Sequence, residues 1–417
     1  MRIRHLVFSL GIGGTERAAQ NLAIGTAERG HATEAVAIQG GARAEVLRSL
    51  DIQVRIVGQN SSESLRQLKN VDALVIHSHG LQEDLVSKVI QRSGHPKIAE
   101  VNVFSKPTPW MDELDVSFQL SPWAHWLYVQ RGGDESRSST LPSPVDSAGF
   151  FKDPQAGEHF KQAHGIPQES IVVGRIGQHY EGKWSPWLVN TFSQLRQAGY
   201  PIHLLLIGAP TSVSEAVTPY VLQGTATLLS KVIGDEILRG AYNAMDVFAH
   251  SARQGESFGY VLAEASLCEV PIITMATPWA DNSQGWVAGP SGLVTITPQG
   301  FTRTLEQLIE RSHHEERAIR GRHARQHVLD SFTIDSVVDG LLTVLQGQSN
   351  RFGLPSPKEL LTPTYRGSDY PPLLRMMPGK PNSRIGGPIS GQESWLSFFT
   401  DALNSRGISR ASLRRWH

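Results

Sequence analysis

The sequence predicts an α/β protein built from two Rossmann-like domains that face each other across a cleft, followed by a C-terminal extension. Three observations carry that prediction. Short apolar runs alternate with helical patterns over residues 1–145, and the same rhythm restarts after a break at 146–168 and continues to 333. At 417 residues the chain is too long for one ordinary core and suits two domains of about 150–200 residues each plus a remainder. Strand–helix–strand repetition implies right-handed crossovers, and therefore parallel sheets.

In the first domain, "RHLVFSL", "TEAVAIQ", "QVRIVG", "DALVIHSHG" and "KIAEVNVF" read as strands, and "TERAAQNLAIGTAERG" reads as a helix ending at Gly30. The stretch "LPSPVDSAGFFKDPQAGEHFKQAHGIPQES" is polar and proline-bearing, with one short helix, and marks the domain boundary. In the second domain the strands are "SIVVGRIG", "IHLLLIG", "LLSKVIG", "DVFAHSA", "VPIITMA" and "GLVTIT", with helices through "PWLVNTFSQLRQAG" and "DEILRGAYNAM". A charged helical region spans "TRTLEQLIERSHHEERAIRGRHARQHVLDSF", and an amphipathic segment follows from Ile334. Residues 334–417 then comprise that amphipathic segment and a Pro/Gly-rich tail. From Pro371 onward the tail holds seven Lys/Arg against two Asp/Glu.

Composition narrows the function. With 39 basic and 39 acidic residues there is no net field to draw the chain onto nucleic acid. The single cysteine, Cys268, lies in an apolar run and reads as a buried structural thiol in a reducing compartment. "MRIRHLVFSL" reads as a strand rather than a signal segment, and no window approaches the length of a membrane span. A cytoplasmic protein is expected, with peripheral membrane contact through the basic, aromatic tail.

Ligands of open parallel sheets bind outside the carboxyl ends of the strands, so the loops after strands hold the candidate sites. In "SLGIGGTERAAQ", Gly13 and Gly14 open a helix whose free N–H groups favour an anion, although Glu16 occupies the third position of a dinucleotide fingerprint. His77 and His79 end a strand, with alternation placing both on one side. No third ligand accompanies them, so no metal is expected, and His79, nearer the loop, is the candidate hydrogen-bond donor or proton carrier. Arg175 and Lys183 in "VGRIGQHYEGKW" place two cations at a sheet edge, which suits a diphosphate. In "GESFGYVLAEA", Gly259 lets a helix start tightly, so the backbone N–H groups from Phe258 onward face the cleft. Glu256 and Glu264 flank that start. Carboxylates beside an anion site make sense when they accept hydrogen bonds from neutral sugar hydroxyls.

Taken in order, "GIGGTERAAQNLA", "ALVIHSHG", "LPSPVDSAGF", "VGRIGQHYEGKW", "LLLIG", "AYNAMDVFAHSARQGESFGYVLAEAS" and "VPIIT" resemble the family-4-type glycosyltransferases of the GT-B fold over about residues 1–300. The E-x7-E pattern is the most specific element. The resemblance implies a retaining, metal-independent transfer of a hexose from a UDP- or GDP-linked sugar to a hydroxyl of a glycan or lipid-linked acceptor. By the same resemblance, Arg175 and Lys183 would bind the donor diphosphate, Glu256 the donor sugar and Glu264 the ribose. Backbone N–H groups of Phe258 and Gly259 would assist at the phosphates. Gly13 and Gly14 would close on the donor, and His79 would lie near the reacting centre. No cofactor and no nucleic-acid partner are implied. The Arg-to-Lys spacing is about two residues longer than in common members, and the tail has no counterpart. Donor-base selectivity is expected in "LLSKVIGDE" and acceptor contacts in N-terminal loops including "FSKPTPW". A nucleotide-sugar epimerase or a non-catalytic sugar-binding protein would share these features. A nicotinamide oxidoreductase would need a third loop glycine where Glu16 stands, and an acid after "VAIQGG".

Overall fold

The computed structural model describes residues 1–348 except 59–65, 67, 186, 231–233, 278, 279 and 296. The basic tail, and with it the expected membrane contact, lies outside the described residues. Among those residues no helix is long and apolar enough to cross a membrane.

Two all-parallel sheets form. The first contains β1 (Arg2–Ser9), β2 (Ala32–Gln39), β3 (Gln53–Ile56), β4 (Ala73–His77), β5 (Lys97–Asn102), β6 (Val116–Gln119) and β7 (Ser138–Thr140), in the order β3-β2-β1-β4-β5-β6-β7. The second contains β8 (Ile171–Ile176), β9 (Ile202–Ile207), β10 (Ala226–Leu229), β11 (Val247–His250), β12 (Ile272–Met275) and β13 (Leu293–Thr295), in the order β10-β9-β8-β11-β12-β13. Each sheet reverses its winding next to its first strand, between β1 and β4 and between β8 and β11. That reversal opens the crevice in which doubly wound sheets bind ligands.

Strands β6 and β7 and the helix Thr211–Leu222 are absent from the pattern read off the sequence. β6 reads as polar because its buried Ser117 and Gln119 are hydrogen-bonded rather than apolar: Ser117 Oγ donates to Glu100 Oε2 at 2.7 Å, and Gln119 Nε2 donates to Ser117 Oγ at 2.9 Å. The helix is masked by Pro219 in its last turns, ordinarily a helix breaker. The charged helical region after 298 divides into two helices, Pro298–Ile309 and His314–Ser331.

The break between the sheets holds the helix Pro154–Ala163, capped by Asp153 Oδ1, which accepts from Ala156 N at 3.0 Å. It packs on the helix Asp235–Asn243. Gly157 permits this close approach, since a Cβ there would lie 2.4 Å from Asn243 O. The chain returns to the first domain at Phe332, whose carbonyl accepts from Val145 N at 2.7 Å. The helix Ile334–Leu345 then lies along the helix Gly14–Glu28, over Gly25, where a Cβ would sit 2.5 Å from Val338 Cγ2. Arg29 pairs with Asp335 at 3.2 Å and Asp339 at 2.6 Å beside that contact. Phe332, Val337, Val338 and Leu341 make the apolar core continuous from one sheet to the other.

Candidate functional site

The carboxyl edge of the second sheet gathers charge at its switch point. Arg175 comes from the end of β8, Lys183 from the 3-10 turn Glu181–Lys183 that follows, and His250 from the end of β11. Lys183 Nζ donates to Glu256 Oε2 at 2.7 Å and to Gly255 O at 3.0 Å. His250 Nε2 lies 3.2 Å from Glu256 Oε1, and its Nδ1 lies 2.8 Å from Thr274 Oγ1.

Burial pushes the His250 imidazole down to about 4, with the Arg175 charge adding to the effect. The ring is therefore neutral, and because an ionised carboxylate only accepts, Nε2 carries its proton. Burial pushes the Glu256 carboxyl up, but Lys183, His250 and Arg175 outweigh it and hold the group ionised well below the usual carboxylate range. Gln284 braces the backbone here: its Oε1 accepts from Glu256 N at 3.3 Å, and its Nε2 donates to Met275 O at 2.8 Å.

Arg175 does not project into the cleft beside Lys183. It is 0% exposed, stacked over Trp184 with Cζ 5.0 Å from the ring centroid, and Nη2 donates to Lys183 O at 2.8 Å while Nη1 donates to Ile176 O. From this position it shapes the Lys183 turn and lends charge to Glu256. Lys183 is the cation with solvent access.

Gly259 has φ 101°, a left-handed conformation that an L side chain adopts only under strain, and caps the helix Tyr260–Leu267. In that first turn Leu262 N donates back to Gly259 O at 3.0 Å, which leaves the N–H groups of Tyr260 and Val261 as the donors at a helix start that lies against Glu256. The Phe258 ring is buried against Tyr260 and Phe332, so only its backbone faces the site. Glu264 lies one turn into the helix, with both oxygens engaged. Tyr242 Oη donates to Oε2 at 2.8 Å, and Arg17 Nη1, from the first domain, donates to Oε1. Arg17 also pairs with Asp235. Burial raises the Glu264 carboxyl above its ordinary value despite Arg17. A ribose hydroxyl would reach Glu264 by sharing its remaining lone pairs or by displacing Arg17.

From the first domain, Gly14 lies over Tyr260, where a Cβ would sit 3.6 Å from the ring. Gly13 caps the helix Gly14–Glu28 in extended conformation, and a Cβ there would fall 2.2 Å from Glu16 Oε2. The anion at this helix start is thus the chain's own Glu16. His77 and His79 do not share a side. β4 ends at His77, which is fully buried with Nε2 3.3 Å from His5 Nδ1, and burial holds it neutral. His79 follows in a turn and is exposed, its ring 5.3 Å from Phe104. Alternation fails there because the strand stops first.

The site also contains residues that the sequence reading passed over. His250 ends a strand at a carboxyl edge, the same signal that singled out His79, and applying that signal evenly would have found it. Arg17 is adjacent to the glycine loop, but its partners are 218 and 247 residues away and leave no local trace.

Residues 168–311 match the family of glycosyl transferases group 1. The capsular polysaccharide biosynthesis glycosyltransferase CapM of Staphylococcus aureus is 29% identical over 175 residues, 41% of this chain and 44% of its own length. The putative glycosyltransferase EpsF of Bacillus subtilis is 26% identical over 173 residues, 41% of this chain and 43% of its own. The matched stretches therefore span under half the length of these relatives. Among solved structures, Anabaena HepE in complex with UDP and glucose superposes with a TM-score of 0.69 at 16% identity, covering 83% of this chain and 99% of that one. A glycosyltransferase from Rickettsia africae superposes with a TM-score of 0.69 at 16% identity, over 83% and 98%. The chain has the GT-B fold of these structures, and residues 168–311 are similar to the glycosyl transferases group 1.

Proposed function

We propose that this GT-B chain moves a hexose from a UDP- or GDP-linked sugar to a hydroxyl of a glycan or lipid-linked acceptor in surface polysaccharide synthesis, retaining the anomeric configuration and using no metal ion. The observation that carries this reading is the Lys183–Glu256–His250 array beside the glycine-capped start of the helix Tyr260–Leu267. A fixed cation, free N–H donors and an ionised carboxylate converge at the switch point of the sheet. One relative named for capsular polysaccharide biosynthesis, and a UDP-bound protein of the same fold, support the choice of donor and product class.

In this mechanism the acceptor hydroxyl forms a bond to the anomeric carbon as the bond to the diphosphate oxygen breaks on the same face. The departing phosphate takes the proton. Lys183 and the helix-start N–H groups stabilise the charge growing on that phosphate, with Arg175 supporting the Lys183 turn from behind. Glu256 accepts hydrogen bonds from donor-sugar hydroxyls, and Glu264 from the ribose. Gly13 and Gly14 close from the first domain, and His79 stands on the acceptor side.

The test is binding and turnover across UDP-, GDP-, ADP- and CMP-sugars for wild type and Glu256→Gln. Glu256→Gln is expected to lose about 100-fold in kcat/KM, the scale of one preorganised charge contact. Full turnover in that variant would refute the site. An epimer appearing from donor without acceptor would assign the same site to epimerase chemistry.

A further inference from the structure

Ser283 stands at the start of the short helix Gln284–Ala288, where a serine hydroxyl ordinarily accepts from an N–H of its own first turn. Here the hydroxyl does not cap its helix. Its Oγ donates instead to Ser257 O at 2.8 Å, and Ser283 N donates to Glu256 O at 3.0 Å. Gln284 Oε1 holds Glu256 N at 3.3 Å, so both backbone polar groups of Glu256 are fixed by residues 283 and 284. The two stretches also touch one residue earlier. Gly255 has φ 63°, and a Cβ there would lie 1.7 Å from Asp281 O. Residues 281–284 therefore lie directly on residues 255–257, and neither stretch can shift without the other.

The first domain reaches the same hydroxyl. Ser121 caps the helix Pro122–Gln130, its Oγ accepting from Ala124 N at 3.0 Å, and lies 2.6 Å from Ser283 Oγ. The direction of that contact follows from its neighbours. A carbonyl only accepts, so the one proton of the Ser283 hydroxyl goes to Ser257 O. The proton between the serines is then Ser121's, and the chain runs one way: Ala124 N–H to Ser121 Oγ, Ser121 to Ser283, Ser283 to Ser257 O. Ser121 is 0% and Ser283 1% exposed, so water does not stand in for either partner. Two residues along the same helix start, Trp123 Nε1 donates to Ala280 O at 3.2 Å, a second anchor on this segment.

We infer that Ser283 is a positioning residue for Glu256, and that the Ser121 hydroxyl makes this positioning depend on the seating of the first domain. This rests on the transferase reading, which gives Glu256 the donor-sugar hydroxyls. The nucleotide part of a donor is indifferent to the relay, because the relay ends on the backbone that carries Glu256. The sugar part is held fully only while the helix start Ser121–Trp123 rests on residues 280–283.

The test is calorimetric binding of UDP-glucose, UDP-galactose and GDP-mannose, each beside its parent diphosphate, to wild type, Ser283→Ala, Ser121→Ala, Ser121→Gly and the double variant Ser121→Gly/Ser283→Ala. For the pair that wild type binds most tightly, the Kd of the diphosphate divided by the Kd of the nucleotide sugar isolates the sugar's contribution. Ser283→Ala is expected to lower that ratio about tenfold, the scale of one lost hydrogen bond. Ser121→Ala and Ser121→Gly should each lower it about threefold, and the double variant no further than Ser283→Ala alone. Diphosphate affinity should stay within about twofold throughout. Alanine at a helix N-cap costs more than glycine, so a Ser121 that served only its own helix would separate those two variants and leave the ratio unmoved. An unchanged ratio in Ser283→Ala overturns the positioning role, and Ser121 effects that add to those of Ser283→Ala overturn the relay. Wild type that binds no member of the panel refutes the transferase reading, and the role of Glu256 with it, whereas wild type that binds sugars as its variants do refutes this inference alone.

Discussion

Replacing Arg17 by methionine removes the cation that joins the two domains, and with it the guanidinium over Phe150, while keeping most of the apolar stem. Arg17 and Glu264 have side-chain exposures of 14% and 6%, so solvent screens this pair little, unlike the Arg17 contact with Asp235, which is 45% exposed. Breaking one partner of a buried pair leaves an uncompensated charge and costs about 3–5 kcal/mol. With an unfolding entropy of about 2.1 cal/mol/K per residue over the roughly 330 described residues, that lowers Tm by about 4–7 °C. The loss depends on pH in a defined sense. The Glu264 carboxyl is already raised above its ordinary 4.5 by burial, and removing Arg17 raises it further. A carboxyl with a raised folded-state pKa weakens the fold as pH rises through that value, and the penalty vanishes below the unfolded-state pKa. The Tm gap between wild type and Arg17→Met is therefore widest near pH 7.5 and closes toward pH 4.5. Adding Glu264→Gln, which keeps the Tyr242 hydrogen bond, should recover about half the loss at pH 7.5. Differential scanning calorimetry from pH 4.5 to 8 reads all three values. A gap that is independent of pH, or below about 1 kcal/mol at pH 7.5, would refute the buried pair as a contact between the domains.

Two further perturbations test the frame around the site. The Asp281 carboxyl is pushed up by burial from 3.8 to about 6, so its ionisation weakens the fold as pH rises between those values. Asp281→Asn should stabilise by about 1 kcal/mol at pH 7.5, after discounting for partial exposure, and by nothing near pH 3.5. Chemical denaturation at the two pH values decides, and equal stability at pH 7.5 counts against it. Gly25→Val would drive a side chain into Val338 and Ile334, costing about 1–3 kcal/mol of overpacking. Hydrogen exchange should accelerate in 334–345 and leave 260–267 unchanged; uniform protection would mean the crossover helix does not dock there.

The alternation of apolar runs and helical patterns was enough to specify two parallel α/β domains, because strand and helix periodicities report which faces are buried. Gly259 and the two glutamates could be placed at a strand edge for the same reason: a helix start after a strand is a local event. Elements whose burial is polar escaped, as β6 shows, since Ser117 donates to a glutamate on the neighbouring strand and Gln119 donates to Ser117 in place of apolar packing. Partnership was decided only by tertiary structure. Glu256 meets a lysine 73 residues away, and Glu264 meets an arginine 247 residues away in the other domain. Arg175 reads as an edge cation yet is buried behind Lys183, and His77 turns inward to His5 while His79 stays exposed. Local spacing determines which residues reach a strand's end. Which of them meet, and which are sealed from water, depends on how the crossovers stack the strands and how the return helix docks one domain on the other.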